Sequence, residues 1–184
     1  DPVASTFQRL IFQYVLDPII YRLAAKIVPV SAGLRNELPT YAQSKIRVIS
    51  PFLDSESIAK RLAEQPPATL AALKGQKVIV AAGRLSVEKG FHHLIRVFAH
   101  MVQQEPAKLL LIGDGPMMAE LRGQCSALNL AVDDVTEGTS AVIFAGYQKN
   151  ILPLLTLGRV YALTSATEGF PNVVLGAMAA DLPV

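Results

Sequence analysis

Short apolar runs alternate with amphipathic helical segments from residue 77 to the end of the chain. Apart from a leading lysine in two of them, the runs are hydrophobic at every position, which predicts strands buried on both faces of a sheet. Such strands, when helices separate them, pair in parallel because each connection has to cross back over the sheet. We therefore expect an α/β fold, a Rossmann-like parallel sheet with helices on both faces. The predicted strands cover residues 77–82, 108–112, 141–145 and 160–163, and a fifth begins at residue 182.

The chain before residue 77 lacks this regular order. Residues 4–26 have helical spacing, and residues 27–31 and 45–49 are predicted as short strands. Residues 51–76 contain three prolines and mixed charges, which favour a linker with one short helix near residues 69–73. The expected parts of the chain are residues 1–50, 51–76 and 77–184.

The chain begins with Asp rather than Met, so we expect it to be a piece of a longer protein. We interpret the helical segment at 4–26 as packing against a part of that protein outside this chain, with contact to a membrane surface as the alternative. Charged residues interrupt this apolar stretch, unlike a signal peptide or a membrane span. We therefore expect a cytoplasmic protein.

Charge and cysteine content exclude several classes of function. The formal net charge is +2 and there is no basic run, so a nucleic-acid partner is not expected. The single cysteine excludes an intramolecular disulfide and a multi-cysteine metal site. His92 and His93 have no cysteine partner and no acid at ligand spacing, so we expect no metal.

The first predicted strand is followed by a segment that we call the cation loop, residues 83–90. Gly83 ends the strand, and Arg84 and Lys89 follow before Gly90. Two cations held between glycines indicate a site for one anion such as a diphosphate. The alternative is a solvated loop in which Glu88 pairs with either cation.

The fourth predicted strand is followed by the acid loop, residues 164–172. Its acid is Glu168, and a helix is predicted to begin at Pro171. The first turn of a helix exposes backbone N–H groups and the positive end of a dipole, which suits an anionic ligand. Glu168 would accept hydrogen bonds from sugar hydroxyls, or would be a structural acid that the helix dipole stabilises.

Two more loops follow predicted strands, the glycine loop (residues 113–118) and the aromatic loop (residues 146–150). Gly113 and Gly115 form half of a dinucleotide fingerprint, whose third glycine is replaced by Met118. A tight turn that starts a helix explains this pattern better than NAD binding does. In the aromatic loop, Tyr147 or the backbone would cover a base, or the loop is an ordinary turn.

All four loops follow the carboxyl ends of predicted strands. In an open parallel sheet, ligands bind outside these ends. The sequence therefore predicts that the four loops converge on one nucleotide pocket.

Together, the four loops resemble the nucleotide-binding half of a retaining glycosyltransferase of the GT-B fold, in the group 1 or family 4 class. The resemblance runs from about residue 77 to the end of the chain. The motifs that carry it are Gly83-Arg84-Leu85, Glu88-Lys89-Gly90-Phe91, Gly113-Asp114-Gly115-Pro116, Phe144-Ala145-Gly146, Ser165 and Glu168-Gly169-Phe170-Pro171-Asn172. Residues 27–54 resemble the end of the first domain of that family and its hinge, which implies that residues 1–50 are a remnant of the acceptor-binding domain.

The resemblance implies a role for each loop. Arg84 and Lys89 would bind the diphosphate and stabilise it as it leaves, and Glu168 would contact the transferred sugar. The residues that would bind the nucleotide sugar are Gly83, Gly113, Gly146, Tyr147, Gly169, Phe170, Pro171 and Asn172.

The resemblance also implies the substrates. The donor would be a hexose-type sugar on a nucleoside diphosphate, with UDP expected, and transfer would retain configuration without a metal or other cofactor. The acceptor would be a saccharide or a lipid-linked molecule, bound by the missing N-terminal domain. Peripheral association of the full protein with the inner face of the plasma membrane fits such an acceptor.

One position departs from the family pattern. The family pattern has a second glutamate eight positions after the first, which would hold the ribose hydroxyls of the nucleotide, and in this chain that position is Gly176. A non-catalytic nucleotide-sugar binder, or decayed homologue, is therefore an alternative function, and an NAD-dependent oxidoreductase is a weaker one. We expect the isolated chain to be inactive in transfer.

Overall fold

A computed structural model describes residues 15–52, 54–133 and 140–184. The chain divides into two compact units, the first of which ends at Phe52. The predicted helix at 4–26 lies partly outside the described residues, and its described part is helix α1 (Asp17–Leu23).

The first unit also contains helix α2 (Ala32–Glu37) and a 3-10 helix (Thr40–Lys45). The two strands predicted here are reduced to one parallel bridge between Ile27 and Ile46. This correction has a physical cause in Pro29, which has no backbone N–H and cannot donate the next hydrogen bond of a ladder.

The second unit contains the alternating elements. Its described α-helices are α3 (Ser55–Leu62), α4 (Phe91–Met101), α5 (Met118–Ala127), α6 (Leu152–Leu155) and α7 (Asn172–Ala179). Two 3-10 helices lie at Ala68–Leu73 and Val87–Lys89. The strands are β1 (Val78–Ala82), β2 (Lys108–Ile112), β3 (Val132–Asp133), β4 (Val142–Phe144) and β5 (Val160–Tyr161).

The five strands form one sheet in the order β3-β4-β2-β1-β5, and every pair is parallel. The prediction of a Rossmann-like parallel sheet is confirmed. From β1 the chain runs to β2 and on to the edge strand β3, and after β4 it crosses back to β5 on the other side of β1. The carboxyl ends of β1 and β5 therefore mark the switch point of the sheet, where ligands bind in folds of this kind.

The fifth strand is not the one predicted. The additional strand is β3, at the edge beside β4. Its two residues are too few to produce a recognisable apolar run. Residues 182–184 form no strand, although Tyr161 N–H donates a hydrogen bond of 2.7 Å to Pro183 O.

The stretch predicted as a linker, residues 51–76, also differs, because its described residues from 54 onward are part of the second unit. Leu70 and Leu73 are buried in the core of that unit, on the 3-10 helix that the sequence had indicated. Helix α3 was not predicted. Two of its apolar side chains, Ile58 and Leu62, pack against this core. Two apolar positions one turn apart are too weak a periodic signal to predict a helix.

Apolar side chains cover both faces of the sheet. Val80 and Ala82 of β1 lie in one cluster together with α6 and α7, whereas Ala81 lies in the other together with α4 and α5. Helices cover both faces of the sheet, so the ends of the strands are left open. The polar side chains of the four loops lie at the carboxyl ends.

Candidate functional site

Hydrogen bonds to the backbone of the cation loop join it to the acid loop at the switch point. Ala166 N–H donates to Glu88 O at 2.8 Å, and Thr164 Oγ1 donates to Lys89 O at 3.1 Å. Gly90 has φ +68°, and a Cβ atom there would lie 2.1 Å from Thr164 O. A side chain at this position would therefore separate the acid loop from the cation loop.

An ion pair joins the same two loops through their side chains. Lys89 Nζ lies 2.6 Å from Glu168 Oε1, and the two side chains are 27% and 19% exposed. Burial pushes the pKa of Glu168 upward, but hydrogen bonds from Lys89 and Ser165 outweigh burial and hold this pKa below its usual value. The fold thus brings together two of the predicted residues that are 79 positions apart in sequence.

The third predicted charged residue, Arg84, has a different environment. Its side chain is exposed, and among the described residues no ion pair is recorded for its guanidinium. Glu88 does not pair with either cation as the alternative required. It accepts a hydrogen bond of 2.6 Å from the buried hydroxyl of Ser86, which is the main reason why the pKa of Glu88 is lowered. Arg84 therefore remains available to an anionic ligand.

The glycines of the glycine loop pack against the backbone of the cation loop. A Cβ atom at Gly113 would lie 1.9 Å from Gly83 O, and one at Gly115 would lie 2.4 Å from Leu85 O. Leu85 N–H also donates to Asp114 O at 2.9 Å. The two glycines allow this close approach within the protein, so their spacing no longer supports an NAD site.

A cavity of about 420 Å³ opens at the carboxyl ends of β1, β2 and β4. This volume is within the usual range for small-molecule sites. The lining residues are Ala82, Gly83, Arg84, Ile112, Gly113, Asp114, Tyr147, Gln148, Ile151 and Val173. Four of them, Gly83, Arg84, Gly113 and Tyr147, were predicted as site residues.

The remaining lining residues were missed. Asp114 and Gln148 lie in loops that the sequence had singled out, next to residues that were predicted. Ile151 and Val173 belong to the segment before α6 and to α7, and their apolar side chains look like ordinary core residues in the sequence. The position of Asp114 and Gln148 shortly after a strand was a signal in the sequence, whereas no local signal marks Ile151 and Val173.

Several predicted residues lie near the cavity without being among its recorded lining. Lys89 and Glu168 pair with each other, and Gly146 accepts a hydrogen bond of 2.8 Å from Gly113 N–H through its carbonyl. The predicted residues of the acid loop, Gly169, Phe170, Pro171 and Asn172, surround the start of α7.

The start of α7 offers hydrogen-bond donors. The helix begins at Asn172, one residue later than predicted, and Pro171 precedes it. Within the described chain, no hydrogen bond is recorded for the backbone N–H groups of Gly169, Phe170 and Val173. Unpaired donors at a helix start are suited to oxygen atoms of a phosphate or a sugar.

Gly176 is buried in the second turn of α7. A Cβ atom there would lie 3.1 Å from Leu152 Cδ2 and 3.5 Å from Leu155 Cδ1. The position is one turn after Val173, which lines the cavity. Because helical side chains lean toward the N-terminus of their helix, a longer side chain at this position would extend toward Val173.

The described part of the chain holds neither a candidate metal cluster nor a membrane-spanning helix. Residues 15–52, 54–133 and 140–184 contain no group of three or more His, Cys, Asp or Glu side chains that would hold a metal ion. In the same ranges, every helix is too short or too polar to cross a membrane.

The parallel sheet, with a cavity at the carboxyl ends of β1, β2 and β4 and Arg84 on one wall, defines a Rossmann-like α/β domain with a candidate ligand site. A model of the family described as "Glycosyl transferases group 1" matches residues 76–184. The chain belongs to this family, and its solved structural neighbours are glycosyltransferases of the GT-B fold.

Relatives with known activities are similar over most of the chain. It is 28% identical over 159 residues to N-acetyl-alpha-D-glucosaminyl L-malate synthase from Bacillus anthracis, covering 85% of this chain and 40% of that protein. It is 26% identical over 183 residues to a Campylobacter jejuni enzyme, N-acetylgalactosamine-N,N'-diacetylbacillosaminyl-diphospho-undecaprenol 4-alpha-N-acetylgalactosaminyltransferase, covering 98% of this chain and 46% of that protein.

A crystal structure of Anabaena Alr3699/HepE in complex with UDP and glucose superposes with a TM-score of 0.72 and 25% identity, covering 92% of this chain and 46% of the other. The chain therefore spans less than half the length of each of these three proteins.

Proposed function

We propose that this chain is the donor-binding part of a glycosyltransferase that takes a hexose-type sugar from a nucleoside diphosphate and transfers it with retention of configuration. The observation that carries the proposal is that the cation loop lines the cavity with Arg84 and is tied to the acid loop by the pair of Lys89 and Glu168. The complex of the Anabaena neighbour with UDP and glucose supports a nucleotide-sugar donor and makes UDP the first nucleotide to test.

Arg84 is the residue we assign to the diphosphate. An arginine and a phosphate oxygen about 4 Å apart attract each other by roughly 4 kcal/mol at an effective dielectric near 20, before desolvation is counted. The same attraction stabilises the diphosphate as it becomes the leaving group, so the reaction would need no metal ion. Lys89 adds a second cation once the ligand competes with Glu168 for its ammonium group.

Glu168 is the residue we assign to the transferred sugar. Its ionised carboxylate can accept hydrogen bonds from sugar hydroxyls, and the backbone donors of Gly169 and Phe170 lie next to it in the chain. We assign the base to Tyr147, which is 78% exposed and lines the cavity. The acceptor would be a saccharide or lipid-linked molecule bound by a domain outside this chain, in a cytoplasmic protein peripheral to the membrane. The undecaprenol-linked substrate in the name of the Campylobacter relative supports that acceptor class.

Calorimetric titration with UDP, GDP, ADP and NAD tests the proposal. We expect a nucleoside diphosphate to bind and NAD not to bind. Arg84→Glu should abolish binding because it replaces the cation that faces the phosphates with an anion. Arg96→Glu makes the same charge change on the exposed face of α4, away from the cavity lining, and should leave the affinity unchanged.

Two results would contradict the proposal. Binding of NAD with no response to any nucleoside diphosphate would exclude a nucleotide-sugar site. Undiminished affinity in Arg84→Glu would show that the phosphates do not lie where we place them.

A non-catalytic nucleotide-sugar binder is the second candidate. The observation that favours it is Gly176, which provides no carboxylate where the family has its second glutamate. A transfer assay on the whole protein separates the two candidates, because binding without turnover is expected only of the second.

A further inference from the structure

The cavity presents three kinds of chemical group in a fixed order. Strands β1, β2 and β4 are neighbours in the sheet, and each is followed by a loop that lines the cavity. These loops present Arg84 after β1, Asp114 after β2, and Tyr147 with Gln148 after β4. Neighbouring strands are about 4.8 Å apart, so the three groups are spread over about 10 Å along the edge of the sheet.

This order matches the order of parts in a nucleoside diphosphate. A diphosphate beside Arg84 and a base beside Tyr147 would leave the ribose opposite the middle strand, where Asp114 lies. Among the described lining residues, Asp114 is the one carboxylate. Carboxylates accept hydrogen bonds from vicinal hydroxyls such as those of ribose.

The backbone of Asp114 is held in place by the cation loop. Leu85 N–H donates to Asp114 O at 2.9 Å, and Met117 N–H donates to Leu85 O at 3.0 Å. Within the side chain, Oδ1 accepts from Gly115 N–H at 2.7 Å, and no partner is recorded for Oδ2 in the described part of the chain. Asp114 therefore has a fixed backbone and one carboxylate oxygen free to accept hydrogen bonds.

A carboxylate in a cavity for an anionic ligand needs an explanation. A carboxylate beside a diphosphate would repel the ligand, whereas a carboxylate beside hydroxyl groups would attract the ligand by accepting their hydrogen bonds. Gly176 leaves the cavity without the acid that the family pattern places on α7. Asp114 supplies a carboxylate to the same cavity from the loop after β2 rather than from a helix.

We infer that Asp114 holds the ribose hydroxyls of the donor nucleotide, an inference that rests on the proposed function. Asp114 is then a binding residue that selects ribonucleotides over nucleotides without the hydroxyls, and it fills the role that Gly176 cannot fill.

The test compares each nucleoside diphosphate with its 2′,3′-dideoxy counterpart, using the full chain and calorimetry. UDP, GDP and ADP are all titrated, so that the base preference does not obscure the ribose effect. Asp114→Asn is the variant, because Asn keeps an oxygen that can accept from Gly115 N–H and so preserves the turn. Glu120→Gln makes the same charge change in the first turn of α5, outside the cavity lining. Thermal unfolding of both variants confirms that they are folded.

The natural chain should bind the ribonucleotide about tenfold more tightly than its dideoxy counterpart. This ratio corresponds to the lower end of the free energies found for a hydrogen bond to a charged group. Asp114→Asn should reduce the affinity for the ribonucleotide by most of this factor and leave the dideoxy affinity unchanged. Glu120→Gln should change neither affinity.

The other outcomes overturn the inference in distinguishable ways. Equal loss for both ligands in Asp114→Asn would mean that Asp114 only shapes the loop, and a gain for both would mean that it only repels phosphate. If the natural chain bound the ribonucleotide and its dideoxy counterpart equally well, the ribose hydroxyls would not contribute to binding. These three results leave the proposed function intact, whereas a natural chain that binds no nucleoside diphosphate overturns both proposals.

Discussion

The contact between Lys89 and Glu168 illustrates how much depends on single residues at the switch point. Both side chains are mostly withdrawn from water, and each belongs to a loop that is also held by backbone hydrogen bonds. A pair in this setting orients the carboxylate that we assign to the sugar before any ligand arrives. It also means that a diphosphate has to compete with Glu168 for Lys89.

The pair makes a pH-dependent contribution to stability. The ordinary pKa of the Glu168 carboxyl is 4.5, and the folded chain lowers it. A lowered pKa in the folded state means that the contribution is complete above pH 4.5 and is lost as the pH falls through the lower folded value. We expect Glu168→Gln to reduce the free energy of unfolding by about 1 kcal/mol at neutral pH, and by much less near pH 3.

Urea unfolding at both pH values measures this difference. Glu105→Gln is the matched control, because Glu105 pairs with Lys77 where both side chains are largely exposed, and exposed pairs contribute little. The interpretation of the pair would be wrong if the loss in Glu168→Gln were the same at both pH values.

At the scale of elements, α7 connects the acid loop to the cavity. No partner is recorded in the described chain for the N–H groups of Gly169 and Phe170 just before this helix or of Val173 in its first turn, and Val173 forms part of the cavity wall. One turn later, Gly176 packs against Leu152 of α6. The helix therefore holds Gly176 at the position where the family pattern has its second glutamate.

Gly176→Glu should strengthen nucleotide binding by about an order of magnitude, because it adds a charged acceptor that leans toward Val173. Leu152 has to yield by a few tenths of an ångström, since its Cδ2 atom lies 3.1 Å from the position of the new Cβ. Calorimetry with UDP measures the effect. Gly176→Ala is the control, because it adds the same Cβ and a similar gain in helix propensity without the carboxylate. Equal affinities in the two variants would mean that an acid on α7 does not reach the ligand.

The elements that the sequence predicted are those with strong periodic signals. Strands β1 and β2 are continuous apolar runs, and α4 repeats its buried residues at helical spacing, so local pattern is sufficient for them. Strand β3 and helix α3 carry weak signals. Their positions depend on partners distant in the chain, since β3 pairs with β4 and α3 packs against the core beside α6.

At the scale of the whole molecule, the boundary of the second unit decides what can be studied in isolation. The sequence placed the start of the nucleotide-binding domain at residue 77, whereas the structure includes the described residues from 54 onward in the same unit. The difference involves Leu70 and Leu73, which are 2% and 0% exposed in its core.

A chain of residues 53–184 should therefore unfold cooperatively, and a chain of residues 77–184 should be unstable. Burial of each leucine contributes about 1.5–3 kcal/mol, so loss of both removes a large part of the roughly 5–15 kcal/mol that stabilises a domain. Urea unfolding of the two chains, followed by circular dichroism, measures the difference. Equal stability would mean that residues 53–76 are an accessory segment.

Local sequence patterns determined the class of fold, the four loops and the types of residue that they carry. Apolar runs report burial of a strand on both faces, and glycines and charges directly after them mark the carboxyl ends where ligands bind. This information is local, so it can be read along the chain.

Only the tertiary structure decided which of these residues act together. It paired Lys89 with Glu168, left Arg84 on the cavity, and placed Asp114 between the cation loop and the aromatic loop. These relations follow from the strand order β4-β2-β1-β5, which differs from the order along the chain. Parallel pairing is set by packing between distant segments, and no local pattern specifies which strands become neighbours.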